Sequence, residues 1–214
     1  MANNIPTLFD KSLQAMDISD KQKAVLRASL TLFSEKGVEN TSTSDIAKMA
    51  NVAEGTVYKQ FKTKNNLLQA VTSSIIDTVV PQIASEFINE AADTEEPDFK
   101  DFLQNLIQNR MQFFIANLPQ IRILIRESMT NEGLRLQVIE KVTHLHLKRL
   151  ANSFKYYQQQ GQLVDWEFTR IVRYILGTTA SYAAPLLFSG SATFNIAHAS
   201  QEATNFLIKG LQPR

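Results

Sequence analysis

Residues 41–68, TSTSDIAKMANVAEGTVYKQFKTKNNLL, decide how the chain reads: they spell a short helix, a turn, a second short helix and the start of a long one. Ser42 has the side-chain oxygen of a good N-cap. Asp45 stands three residues on, where a carboxylate favours a helix's positive end, and Ile46, Ala47 and Ala50 supply an inner face. The run breaks at Asn51-Val52-Ala53, and asparagine is one of the few non-glycine residues that tolerates the left-handed conformation of a helix-ending turn. From about Glu54 a second helix places Val57 and Phe61, four apart, inward. Thr56, Tyr58, Lys59, Gln60 and Lys62 then face outward or flank that face. Hydroxyl, phenol, amide and ammonium groups on one short helix serve phosphates and base edges alike, so this helix is equipped to meet DNA.

At these residues the sequence resembles the TetR family of bacterial transcription regulators. The pattern is carried by Ser42, Asp45, Ile46-Ala47, Ala50, Val52, Gly55-Thr56-Val57-Tyr58, Phe61, Lys64 and Leu67-Leu68. Leu32-Phe33 followed by Gly37 extends the likeness back to about Lys21. The chain departs from the pattern at Asn51, where Gly is usual, at Thr43, often aliphatic, and at Glu54, often neutral or basic. An acid at the mouth of the second helix repels phosphate yet can accept a hydrogen bond from cytosine N4.

The resemblance implies an all-α fold. A three-helix DNA-binding head with a helix-turn-helix is linked by a long helix to a carboxy-terminal helical ligand-binding and dimerisation domain. The divisions expected are an arm over 1–17, the head over 18–64 and the second domain over 65–214. The function implied is a repressor that binds a near-palindromic double-stranded operator as a homodimer, with residues 54–61 in the major groove, and responds to a small-molecule effector. By family position, Ser42, Tyr58 and Lys64 are assigned to phosphates and Ser44, Glu54, Thr56, Lys59 and Gln60 to base edges. Gly55 lets the backbone approach the DNA. In the family the last two helices build a four-helix bundle with a second subunit. Here they offer a flank of Gly177, Ala180, Ser181 and Ala184, with Ile175, Ala203, Phe206 and Leu207 beside it. The alternative is an ordinary internal helix pair.

With 214 residues, 44% hydrophobic, the chain is long enough to bury a sizeable core, and one small and one larger domain are expected. It has no cysteine, no continuous run of about 18 apolar residues and no basic-then-apolar leader, so disulfides are excluded and the cytoplasm is expected, with no membrane partner. The net charge of +1 does not by itself point to nucleic acid. Locally, Lys48, Lys59, Lys62 and Lys64 face a single acid, Glu54, in a basic patch that dimerisation would double; alone, such a patch reads first as a solvated face, and the helix-turn-helix around it reverses that preference.

In the remaining chain, Met1 to Asp17 shows a polar start, Pro6 and no sustained period, and reads as a loose arm. A helix is expected from Ser19 to Lys36, ended by Gly37, and a long helix from Lys64 to about Asp93 with a kink at Pro81. Further helices are expected over Phe99–Leu118, from Pro119, over Asn131–Gln160 with Val138 and Ile139 inward and Gly161 as the stop, from Asp165 as a cap, and from Phe194 to Leu211. Arg110, Phe114, His146, Tyr156 and Tyr182 are candidate effector contacts, as polar or aromatic groups on or near apolar stripes. Each has a plainer reading in packing: the stem of Arg110 lies along apolar surface, and His146 is a satisfied core or interface histidine. His144 and His146 stand two apart, roughly 200° around a helix, so no metal is expected there. There is no glycine-rich phosphate loop and no diagnostic catalytic pair, so neither an enzyme nor a cofactor is expected. From another class, the runner-up is a helical ligand-binding or adaptor protein with a vestigial head.

Overall fold

The computed structural model describes residues 4–93, 96–143, 148–188 and 195–213, and every regular element among them is helical. In chain order these are α1 (Ile5–Ala15), α2 (Asp20–Lys36), α3 (Thr43–Met49), α4 (Glu54–Phe61), α5 (Lys64–Ser74), a π-helical turn (Ile75–Val79) and α6 (Val80–Asp93). They continue as α7 (Phe99–Ala116), α8 (Leu118–Thr130), α9 (Glu132–Thr143), α10 (Lys148–Gln159), α11 (Phe168–Phe188) and α12 (Ile196–Leu211). The chain divides into two units, one built from Asn3–Ile83 and Pro119–Leu145, the other from Ala84–Leu118 and His146–Arg214. The division does not follow the expected boundary after residue 64, because α1 and α9 both pack on the π-turn in the first unit.

In the first unit, α2 opens with a reciprocal cap: Gln22 N–H donates to Ser19 Oγ at 3.3 Å while Ser19 N–H donates to Gln22 Oε1 at 3.0 Å. Val25, Leu26, Leu32 and Phe33 of α2 are buried, as are Ile46 and Ala47 of α3, Val57 of α4 and Leu67 and Leu68 of α5. The loose arm expected before α2 is instead a helix. Ile5, Leu8, Phe9 and Leu13 recur at helical spacing and are buried, α1 packs on α2 and on the π-turn, and Asp10 pairs with Arg27. Pro6 does not oppose this, since a first-turn proline has no intrahelical N–H bond to lose.

The expected kink at Pro81 takes the form of the π-turn just before it. Val80 N–H reaches the Ile75 carbonyl, five residues back. Proline lacks an N–H and crowds the carbonyl four residues earlier, here that of Asp77, and a widened turn gives the ring room. By length and mean hydropathy, Lys64–Ala91 is apolar enough to cross a bilayer, although it holds no continuous apolar run. Half of that apolar window is buried inside the protein.

The second unit is built on aromatic side chains from α7 and α10. Phe102 lies 5.1 Å from Tyr157 and 5.8 Å, edge-on, from Phe154, which in turn meets Phe168 at 5.4 Å. α10 closes where expected: Gly161 takes φ +67°, and Gln162 N–H returns to the Tyr157 carbonyl at 3.0 Å. α11 begins at Phe168, so Asp165 does not cap it. Gln158 Nε2 holds the carbonyls of Val164 and Trp166 at 3.0 and 2.8 Å, which keeps this stretch out of the helix. Of the helix expected over 131–160, α9 and α10 are described, while His144 and His146 lie outside the described residues. Ile139, expected inward, is exposed.

Candidate nucleic-acid interface

The helix-turn-helix is set by local hydrogen bonds that its sequence encodes. Ser42 Oγ accepts from Asp45 N–H at 3.0 Å and the Asp45 carboxylate accepts from Ser42 N–H at 3.2 Å, closing a capping box on α3. The same backbone bond from Ser42 holds the Asp45 carboxyl below the ordinary range. Because the serine oxygen is an acceptor here, its own O–H remains available to a phosphate. At the other end Asn51 takes φ +54°, Val52 N–H returns to Ala47 at 3.0 Å and Asn51 N–H to Lys48 at 3.2 Å. This paired return is a Schellman ending, with asparagine in the place usually held by glycine.

The outer side of α4 carries most of the expected DNA contacts. Ser44, Glu54, Gly55, Tyr58 and Lys59 are exposed, as are Lys48 and Lys62, and Thr56 is half-buried. A Cβ added at Gly55 would meet nothing within 4 Å, so no contact inside the chain requires glycine there. Gln60 departs from expectation: its amide oxygen is buried and finds no donor, so it points away from the surface that Lys59 presents.

Lys64 departs further. Its ammonium donates to the carbonyls of Val38 and Thr41 at 3.0 and 3.3 Å, tying the start of α5 to the segment between α2 and α3. It fixes the head internally, and only one of its three N–H bonds is left for a phosphate. Lys62, which follows α4, takes φ +59° and ψ −47°, and Thr63 N–H bonds to the Phe61 carbonyl at 2.6 Å. That is a γ-turn of the strained hand, centred on an exposed lysine. The sequence showed the charge and not the strain.

Glu54 is not solitary. Its carboxylate lies 2.9 Å from Thr43 Oγ1, which is itself 3.0 Å from the Tyr58 hydroxyl. Sequence reasoning noted Thr43 and Glu54 as separate departures from a pattern. They touch across the turn, eleven residues apart.

The candidate effector residues are not gathered in one place. Arg110 lies in the second unit, its guanidinium 3.5 Å from the centre of the Phe87 ring and donating to Asn109 Oδ1 at 2.6 Å, with Nε buried and without an acceptor. Burial pulls its pKa down to about 10, with Glu90 opposing the shift. Phe114 is half-buried, Tyr156 is exposed, and burial followed by Glu202 raises the Tyr182 phenol. A cavity of about 530 Å³ lies instead in the first unit, lined by Ile76, Val80, Leu124, Ile125, Met129 and Val138 with Ser128 and Arg135. Among the described residues, none of Arg110, Phe114, Tyr156 and Tyr182 lines it, because the stripes that nominated them belong to the other unit.

The expected dimer contacts divide in the same way. Ile175, Ala203 and Leu207 are buried within the chain's own second unit, where α11 and α12 pack on α7, and they are not free to meet a partner. Gly177, Ala180 and Ser181 are exposed, Ala184 is half-buried, and Phe206 is 67% exposed. Leu176, which the sequence places on the apolar side of this helix with Ile175, is exposed too.

Residues 25–71 match the family model of the bacterial regulatory proteins, tetR family. The chain is 38% identical over 65 residues to the HTH-type transcriptional regulator YvdT of Bacillus subtilis, a stretch that spans 30% of this chain and 34% of that relative. A crystal structure of a TetR-family transcriptional regulator from Mesorhizobium loti superposes with a TM-score of 0.70 at 19% identity, over 90% of this chain and 97% of that one. The transcriptional regulator FadR from Bacillus subtilis, in complex with stearoyl-CoA, superposes with a TM-score of 0.60 at 20% identity, over 87% of this chain and 97% of that one. At these identities the structural likeness establishes a shared fold.

Proposed function

Because the chain belongs, through residues 25–71, to the tetR family of bacterial regulatory proteins, we propose that it is an effector-responsive repressor binding a near-palindromic operator as a homodimer. The observation that carries this reading is the outer side of α4, where Glu54, Tyr58 and Lys59 are exposed around a glycine that nothing inside the chain requires. Such a surface suits the major groove, with Gly55 allowing close approach and Ser42 at the capped start of α3 on the backbone. In this reading Ser42 and Lys62 meet phosphates, Ser44, Glu54, Thr56 and Lys59 face base edges, Tyr58 braces α4 against Thr43 through its hydroxyl, and Lys64 holds the head in shape. Two heads stand one helical turn apart, roughly 34–36 Å.

The dimer is supported by the exposed small-residue flank of α11 and by Phe206 on α12. A Cβ at Gly177 would meet nothing within 4 Å, so nothing inside the protomer requires glycine there, and its bare backbone leaves room for a partner to approach closely. The effector is an amphipathic anion with a long apolar tail. The apolar cavity bordered by Arg135 and Ser128 suits it, and the similar Bacillus subtilis regulator was solved with stearoyl-CoA. Such a protein acts by binding DNA in the cytoplasm, not by catalysis.

Fluorescence anisotropy on labelled duplexes tiled across the DNA flanking its gene, at two salt concentrations, tests the reading. One tight, salt-sensitive duplex containing an inverted repeat is expected, released by a long-chain acyl-CoA. Lys59→Ala is expected to cost about 1–3 kcal/mol and relax one base position. Uniformly weak binding would favour the second reading, a ligand-binding protein whose head no longer reads DNA, to which Glu54 at the mouth of α4 lends its weight.

A further inference from the structure

Thr43, Glu54 and Tyr58 form a hydrogen-bond chain whose direction is fixed by chemistry. A carboxylate only accepts, so at 2.9 Å the Thr43 hydroxyl must donate its single proton to Glu54. That proton is then spent, so at 3.0 Å the Tyr58 hydroxyl must donate to Thr43. The chain runs Tyr58 to Thr43 to Glu54 and ends on the negative charge. Glu54 and Tyr58 stand four apart, on one side of α4, and Thr43 is the first residue of α3, so the three groups close the mouth of the helix-turn-helix.

A free glutamate at this position would swing among rotamers and repel the phosphates. Held by Thr43, one carboxylate oxygen is anchored and the other lone pairs keep a fixed aim. Within the regulator reading given above, we propose that Thr43 is the positioning residue for base readout, and that Glu54 accepts a hydrogen bond from an exocyclic amine in the major groove. The best-matched donor is cytosine N4; adenine N6 offers the same chemistry. A guanine or thymine edge shows the carboxylate its O6, N7 or O4 acceptors, and lone pairs then face a negative charge. Selectivity therefore comes as much from rejection as from attraction.

The test is a selection of bound sequences from a randomised duplex library by the full-length protein, followed by affinities for all four base pairs at each half-site position. The unmodified protein is expected to prefer an amine-bearing base at one position by about tenfold over an acceptor-only base. Thr43→Val, which keeps the shape and removes the hydroxyl, is expected to bring that preference below about threefold at this position alone, with the salt slope unchanged. Thr43→Ser is expected to restore it, because the hydroxyl and not the methyl does the positioning. Glu54→Gln, able to donate as well as accept, is expected to admit guanine and thymine there. A Thr43→Val profile identical to the unmodified one, or a uniform loss across every position, would overturn the assignment while leaving the regulator intact. If the unmodified protein enriches no sequence at all, the regulator reading itself fails, and this assignment with it.

Discussion

Lys62 carries two properties that pull in different directions. Its backbone sits at φ +59°, which an L side chain tolerates poorly, yet its exposed ammonium extends the basic patch beside α4. Lys62→Gly is therefore expected to raise stability by about 0.5–1 kcal/mol in a urea titration. The same change should weaken operator binding similarly on every duplex and lower the salt slope by about one. A variant that is less stable, or that relaxes one base position only, would show that strain or role has been misplaced. How well residues could be read followed how far their partners lay along the chain. Ser42 with Asp45 and the turn at Asn51 were legible because each closes within a few residues. Lys64, whose carbonyl partners lie 26 and 23 residues away, was read as a phosphate contact because charge is visible in a sequence and a distant acceptor is not.

Among the elements, α1 shows the opposite failure. Its apolar residues Ile5, Leu8, Phe9 and Leu13 follow helical spacing, but four of them over nine residues make too short a window for a period to stand out, and Pro6 was weighed against a helix it helps to start. Phe9 is among the largest fully buried side chains. Phe9→Ala is accordingly expected to destabilise the fold by about 3–5 kcal/mol, measured by chemical denaturation, where a loose arm would register no change. The helices with long uninterrupted stripes, α2 and α7, were legible nearly to the residue. α11 is expected two residues too early, because an aspartate before an apolar run reads as a cap whether or not a glutamine elsewhere holds the backbone extended. The cavity of the first unit was not legible at all. Its lining comes from the π-turn, α6, α8 and α9, and no one of these segments marks it in isolation.

For the whole molecule, a net charge of +1 sets no strong self-repulsion against the proposed dimer, whose contact would be apolar. Among the described residues Phe206 is the most exposed large hydrophobic of the second unit, and with Leu176 and the Gly177 flank it offers the surface for that contact. Light scattering is expected to give twice 24.1 kDa for the unmodified protein and close to 24.1 kDa for Phe206→Glu, with half-site binding only. A dimeric Phe206→Glu would place the interface elsewhere. The π-turn bears on a different matter, the alignment of this chain with shorter or longer relatives. A turn that bonds five residues back holds one residue more than an α-helical turn, so it registers like a single-residue insertion. Delete one residue within 75–79, and the turn can close as an ordinary α-helical one, leaving Val80 onward, with the buried Ile83, facing as before. An alignment that forbids a one-residue gap there would match inward positions to outward ones through the rest of α6, and would mistake a change of phase for a change of chemistry.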